Sequence, residues 1–122
     1  MDVLLSIKPQ FAEQIFSGQK KFEFRRTIFR EPVNRIIVYA SAPISMVIGE
    51  FTSDEIIFDE LKVLWCKTKH SAGISESYFY SYFADKDNGY AIRIKETRKY
   101  PEPIPIDELY SIRPPQSFVY VG

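Results

Sequence analysis

Gly18-Gln19-Lys20-Lys21-Phe22-Glu23-Phe24-Arg25 is the stretch on which both fold and function turn. Gly18 supplies the stop that a preceding helix needs. After it the pattern alternates, Phe22 and Phe24 pointing one way and Lys21, Glu23 and Arg25 the other, which predicts a half-buried strand over Lys20 to Arg26. Residues two apart on a strand sit roughly 6.5 to 7 Å from each other at the backbone, so Glu23 and Arg25 share a face. Lys20 opens the strand, and its long stem can curl to the same place. Two readings are open on spacing alone: three charged groups converging on one small polar ligand, or a surface ion pair of little energetic consequence.

Working outward, Leu4 to Ile7 predicts a short apolar strand, and Pro9 stands where a first helical position favours proline, with Phe11, Ala12, Ile15 and Phe16 at helical spacing. Ile36 to Ala40 is a continuous run fit for a strand buried on both sides, ending in the turn Ser41-Ala42-Pro43. Met46 to Phe51 and Glu55 to Phe58 read as further strands. Asp59 is placed to cap a helix carrying Leu61, Leu64 and Trp65, and Ser75 to cap another with the stripe Tyr78, Phe79, Tyr82 and Phe83. Asp87, Asn88 and Gly89 predict a turn before the strand Tyr90 to Ile94. Pro101 to Pro105 reads as an extended connection, and Ser117 to Val121 as the last strand. About six short strands with helices between them lack the regular alternation of a doubly wound sheet. They fit an α+β fold: a small, partly closed, mostly antiparallel β-barrel with inserted helices plugging its ends. No repeat or linker divides residues 1–122, which are expected to form a single domain.

Composition narrows the function classes. Aromatic residues make up 16% of the chain, more than a small core usually takes, so some rings are available for stacking. The lone cysteine, Cys66, makes neither an internal disulfide nor by itself a zinc site, so a reducing compartment is expected, and no metal or cofactor. Cys66 itself is expected to be a buried apolar filler. The start of the chain has no secretory pattern, and no apolar run approaches the roughly 18 residues of a spanning helix, which together point to the cytoplasm and away from membranes. Net charge is zero, which argues against coating nucleic acid by bulk electrostatics. Charge is nevertheless segregated: Lys20, Lys21, Arg25, Arg26, Arg30 and Arg35 meet only Glu23 and Glu31, whereas Glu50, Asp54, Glu55, Asp59 and Glu60 follow without a base. His70 is the single histidine and is expected to be exposed. Neither a nucleophile elbow nor a P-loop occurs.

Gly18, Lys20, Glu23 and Arg25 reproduce the GxKxxExR signature of the ASCH family, a branch of the PUA-like β-barrels. Ser6-Ile7-Lys8-Pro9 is similar to that family's opening, and Tyr39 to Pro43, Gly49 to Phe51 and Pro115 to Phe118 resemble its later landmarks in small stand-alone bacterial and archaeal members. The resemblance spans nearly the whole chain. It implies a barrel with a cleft beside the first helix, lined by the signature residues, that binds RNA or a modified nucleoside and has a regulatory role in translation or transcription. On that footing Lys20 and Arg25 hold phosphate or a base edge, the planar fork of Arg25 suiting bidentate contact. Glu23 accepts from an exocyclic amine or orients the two cations. Lys8 and Ser41 line the same cleft, and Tyr39 and Phe118 are candidate rings for stacking on a base, with core packing as the other reading of both.

Two other functions are in play. Some ASCH proteins are amidohydrolases that release acetate from N(4)-acetylcytidine with a lysine, a threonine nucleophile and a distant glutamate. Lys20 matches the lysine, but Glu23 stands where the threonine is expected, His70 and Ser71 stand where the distant glutamate is expected, and Thr27 follows Arg25 on the wrong side. Were the chain an enzyme, Lys20 and Glu23 would be its catalytic residues. The third possibility is a protein-interaction domain that kept the fold without the ligand. The oligomeric state is not legible.

Overall fold

The computed structural model describes residues 1–122. In chain order the elements are β1 (Val3–Ile7), α1 (Pro9–Ser17), β2 (Phe22–Arg25), β3 (Ile36–Ala40), β4 (Met46–Phe51), β5 (Ile56–Glu60), α2 (Leu61–Thr68), a single 3₁₀ turn (Lys69–Ser71), α3 (Glu76–Tyr82), β6 (Asn88–Arg93), β7 (Thr97–Ile104), α4 (Ile106–Leu109) and β8 (Phe118–Tyr120). The local signals act as expected at three helix ends. Pro9 begins α1, Gly18 ends it in the left-handed region at φ 87°, and the Ser75 hydroxyl accepts from the Tyr78 N–H at the start of α3.

The strands form two sheets, ordered β7-β4-β3-β1-β8 and β2-β6-β5. β1 runs parallel to β3 and antiparallel to β8, while β2 and β5 both pair antiparallel with β6. Odd-numbered residues of β1 (Val3, Leu5, Ile7) pack with Ala12 and Ile15 of α1 and Ile92 of β6, which fills the space between the sheets. On the other face of the larger sheet Leu4, Ile37, Tyr39 and Val47 lie under Tyr100, Ile106 and Tyr110. The outer face of the smaller sheet presents Phe22, Phe24 and Ala91 to Leu64 of α2 and to Phe79 and Phe83, the aromatic stripe of α3. Covered strand faces are therefore mostly apolar, with Glu23 and Arg25 of β2 and Glu50 of β4 as buried charged exceptions.

Several expectations need correcting. The α+β class holds, but there are eight strands in two sheets that do not close into a barrel. The stretch Pro101 to Pro105 is mostly strand: β7 occupies the sheet edge, where a missing proline N–H costs no ladder bond, and its register shifts opposite Val47 and Gly49. Asp59 lies within β5 and Glu60 takes the N-cap position of α2; the Asp59 carboxylate accepts from the Glu60 N–H and from Lys67 Nζ at 2.9 Å. The turn expected at Asp87 to Gly89 lies earlier, around Phe83 to Asp85, and β6 already begins at Asn88. Cys66 is exposed because it faces away from Leu64 on α2. β2 is buried on both faces, so its charged side is turned inward.

Candidate functional site

That inward turn creates the site. β2 follows α1 directly, and its Glu23 and Arg25 point between the sheets toward the C-terminal end of β1. Lys20, Glu23 and Arg25 are 2%, 5% and 8% exposed, respectively. All three line one open cleft of about 510 Å³, within the range that small-molecule and nucleotide sites occupy. The side chains converge, and the surface ion-pair reading of the strand falls away.

Arg25 is the hub. Its Nη1 donates to Glu23 Oε2 at 3.1 Å and to the Ser6 carbonyl at 3.3 Å, and its Nη2 donates to Ser117 Oγ at 2.6 Å. A planar fork is the one side chain that can hold a carboxylate, a strand carbonyl and a hydroxyl in fixed directions at once. Ser6 continues the network by donating to the Pro115 carbonyl, which ties the segment before β8 to β1. Glu23 keeps its second oxygen for whatever enters, since only Oε2 is taken by the guanidinium.

Lys20 is held differently. Its Nζ donates to the Ala72 carbonyl at 2.7 Å and lies over the rings of Phe11 and Phe24, 5.1 and 4.9 Å from their centroids. Ammonium–ring attraction of this kind is strengthened by the absence of water. Burial nevertheless pushes the Lys20 amine below the ordinary lysine value, with Glu23 pulling the other way. The Ala72 carbonyl is its only hydrogen-bond acceptor in the protein. Gly73 (φ +71°) permits this: a Cβ there would meet Lys20 Cγ at 2.9 Å.

The rim is aromatic and basic. Lys8 donates to the Tyr78 hydroxyl at 3.2 Å, and Phe11 meets Tyr78 edge to face. Tyr82 donates to the Phe24 carbonyl, and burial raises its phenol above the ordinary tyrosine value. Ser41 lines the cleft from the turn after β3. Tyr39 and Phe118 do not line it: Tyr39 packs in the core with Leu4 and Val47, and Phe118 stacks edge to face on Phe29 and Tyr120. The rings that reach the cleft are instead Phe11, Phe24, Tyr78 and Tyr82. Thr27, expected on the wrong side, also lines it, because the chain bends after β2. Ser117 was missed as a partner of Arg25; its place in the Pro115-to-Phe118 landmark was the available signal.

The basic segment does not form one patch. Arg26 donates to the Tyr82 and Ala84 carbonyls, and Arg35 holds Asp2 at 2.8 Å and Glu50 at 3.2 Å. In the acidic stretch Glu50 pairs with Arg35 and Asp59 with Lys67, Asp54 and Glu55 lie at 3.9 and 3.8 Å from Arg93, and Glu60 makes no ion pair. No three His, Cys, Asp or Glu side chains gather where they could hold a metal ion. No helix is long and apolar enough to cross a membrane.

No family model matches the chain. It is 32% identical over 125 residues to a protein of Zymomonas mobilis named ASCH domain-containing ribonuclease, covering 98% of this chain and 84% of that one. It is 27% identical over 120 residues to large ribosomal subunit protein uL22 of Ureaplasma parvum, of which it spans only 39%. The crystal structure of the ASCH protein of Zymomonas mobilis superposes with a TM-score of 0.90 at 30% identity, covering 99% of this chain and 87% of that one. A tyrosine-to-phenylalanine variant of it gives 0.91 at 29%, covering 99% and 90%. The PUA-like α+β layout is thus shared from end to end, and the chain belongs to the ASCH family.

Proposed function

We propose that this protein acts on RNA, holding one nucleotide of a single strand in the cleft and cutting the adjacent phosphodiester. The observation that carries the reading is the buried convergence of Lys20, Glu23 and Arg25 at one concave site. The ribonuclease name of the Zymomonas mobilis relative supports the reaction class.

The chemistry follows from the groups present. The free oxygen of Glu23 takes the proton of a ribose 2′-hydroxyl, whose oxygen bonds to phosphorus as the bond to the 5′-oxygen breaks. Lys8 at the mouth returns a proton to that leaving oxygen, and the product is a 2′,3′-cyclic phosphate. Lys20, walled by two rings, stabilises the charge that builds on the phosphoryl oxygens, where low dielectric makes a fixed cation most effective. Arg25 orients Glu23. Tyr78 at the rim offers a face for the base. A cytoplasmic location and a regulatory role in translation or transcription, through turnover of the bound RNA, go with this reading.

Incubation of an end-labelled single-stranded RNA with the protein tests it. Shortening by the wild type and none by Lys20→Ala is the expected result; full-length RNA throughout, with no saturable binding, contradicts it. The presence of Thr27 in the same cleft as Lys20 and Glu23 supports one second reading, an amidohydrolase on N(4)-acetylcytidine. Release of cytidine from that nucleoside decides for it.

A further inference from the structure

We propose that a groove at the start of β2, at one end of the smaller sheet, carries the backbone of the same RNA strand beyond the cleft; this rests on reading the cleft as an RNA site. The groove has a volume of about 640 Å³ and is lined by Lys21, Lys67, Arg93 and Lys95 against the carboxylates Asp54 and Glu55, with Asp59 paired to Lys67. On a chain of zero net charge this is a local positive excess.

Lys20 and Lys21 lie in the irregular segment just before β2, and the first lines the cleft while the second lines the groove. The backbone of Lys21 is fixed, its N–H donating to the Ser71 carbonyl and its own carbonyl accepting from Ile94, each at 2.9 Å. Lys95 is likewise anchored through its N–H on the Thr52 carbonyl. Neither ammonium has a protein partner. Arg93 makes only loose contacts, 3.9 Å to Asp54 and 3.8 Å to Glu55, which a phosphate can displace. Lys67 is committed to Asp59 and contributes field rather than contact.

The groove and the cleft are joined by one short segment. His70 lines the groove and Ile74 lines the cleft, and four residue steps span at most about 14 Å. A strand of a few nucleotides crosses that distance, so a nucleotide in the cleft places its neighbours' phosphates over Lys21 and Lys95.

Fluorescence anisotropy with two probes, a labelled dinucleotide and a single-stranded RNA of about twelve nucleotides, tests this across a salt series. For Lys21→Ala/Lys95→Ala the expected result is unchanged dinucleotide affinity. With the longer RNA, the slope of log affinity against log salt becomes shallower by about 1.4, two phosphate contacts at roughly 0.7 each. Lys21→Arg/Lys95→Arg keeps the wild-type slope. Equal slopes for wild type and the alanine variant, with both probes bound, overturn the groove and leave the cleft reading standing. Binding of neither probe by the wild type overturns the cleft reading itself.

Discussion

Arg25 donates to the Ser117 hydroxyl at 2.6 Å across 92 positions of sequence, joining the signature strand to the segment that closes the larger sheet. The contact fixes one wall of the cleft that Lys20 also lines. Ser117→Ala removes one hydrogen bond to a charged group, which is worth about 1.5 to 3 kcal/mol. Thermal unfolding should show that loss, and RNA cleavage should fall with it because the guanidinium loses one of its three fixed directions. Arg25→Lys keeps the charge without the fork and is expected to lose activity at least tenfold.

Burial of Lys20 makes stability depend on alkaline pH. The amine is depressed in the folded state, so the unfolded chain binds more protons, and stability rises with pH toward 10.5, the ordinary lysine value. Lys20→Met has no such term. Denaturant unfolding at neutral pH and near pH 10 should show the wild type gaining on the variant as pH climbs; parallel curves would contradict the burial of a charged amine.

Two glycines separate stability from function. Gly18 and Gly73 both have positive φ, 87° and 71°, and alanine at either costs about 1 to 2 kcal/mol of backbone strain. At Gly18 the added methyl meets nothing within 4 Å, whereas at Gly73 it meets the Lys20 stem. Both variants should melt earlier. Only Gly73→Ala should lose RNA cleavage beyond what its fraction folded explains.

At the other end of the larger sheet, Arg35 holds Asp2 and Glu50, and Tyr100 donates to Glu50 at 2.9 Å. Burial, with the neighbouring Glu50 carboxylate, pushes the Tyr100 phenol up to about 12. Hydrogen bonds from Arg35 hold the Asp2 carboxyl below its ordinary 3.8. Its contribution is therefore present above that value and lost as pH falls through the lowered one. Arg35→Ala should cost about 1 kcal/mol at neutral pH, a gap that closes in acid.

Much of this was legible in the chain. Period-two alternation located β2, and a proline, a glycine and a serine marked helix ends at Pro9, Gly18 and Ser75, because these signals are local. The burial of the charged face of β2 was not, since it depends on the second sheet lying beside β1, a relation between distant segments. Landmark resemblance makes Tyr39 and Phe118 candidates for the cleft, but strand parity sends Tyr39 into the opposite core. Tyr78 reaches the rim because it falls on the side of α3 that meets Phe11, which the aromatic stripe alone does not specify. The prolines of Pro101 to Pro105 mask the second half of β7, because a strand with proline is recognisable only once its place at a sheet edge is known.

The claim beneath all of this is that RNA enters the cleft between β2 and the end of β1. Backbone amide NMR during titration with a short single-stranded RNA tests it without any substitution. Saturable shifts largest at Ser6, Lys20 to Arg25, Ile74 and Ser117 are the expected outcome. Shifts confined to β7 and α4, on the opposite flank of the larger sheet, would contradict it.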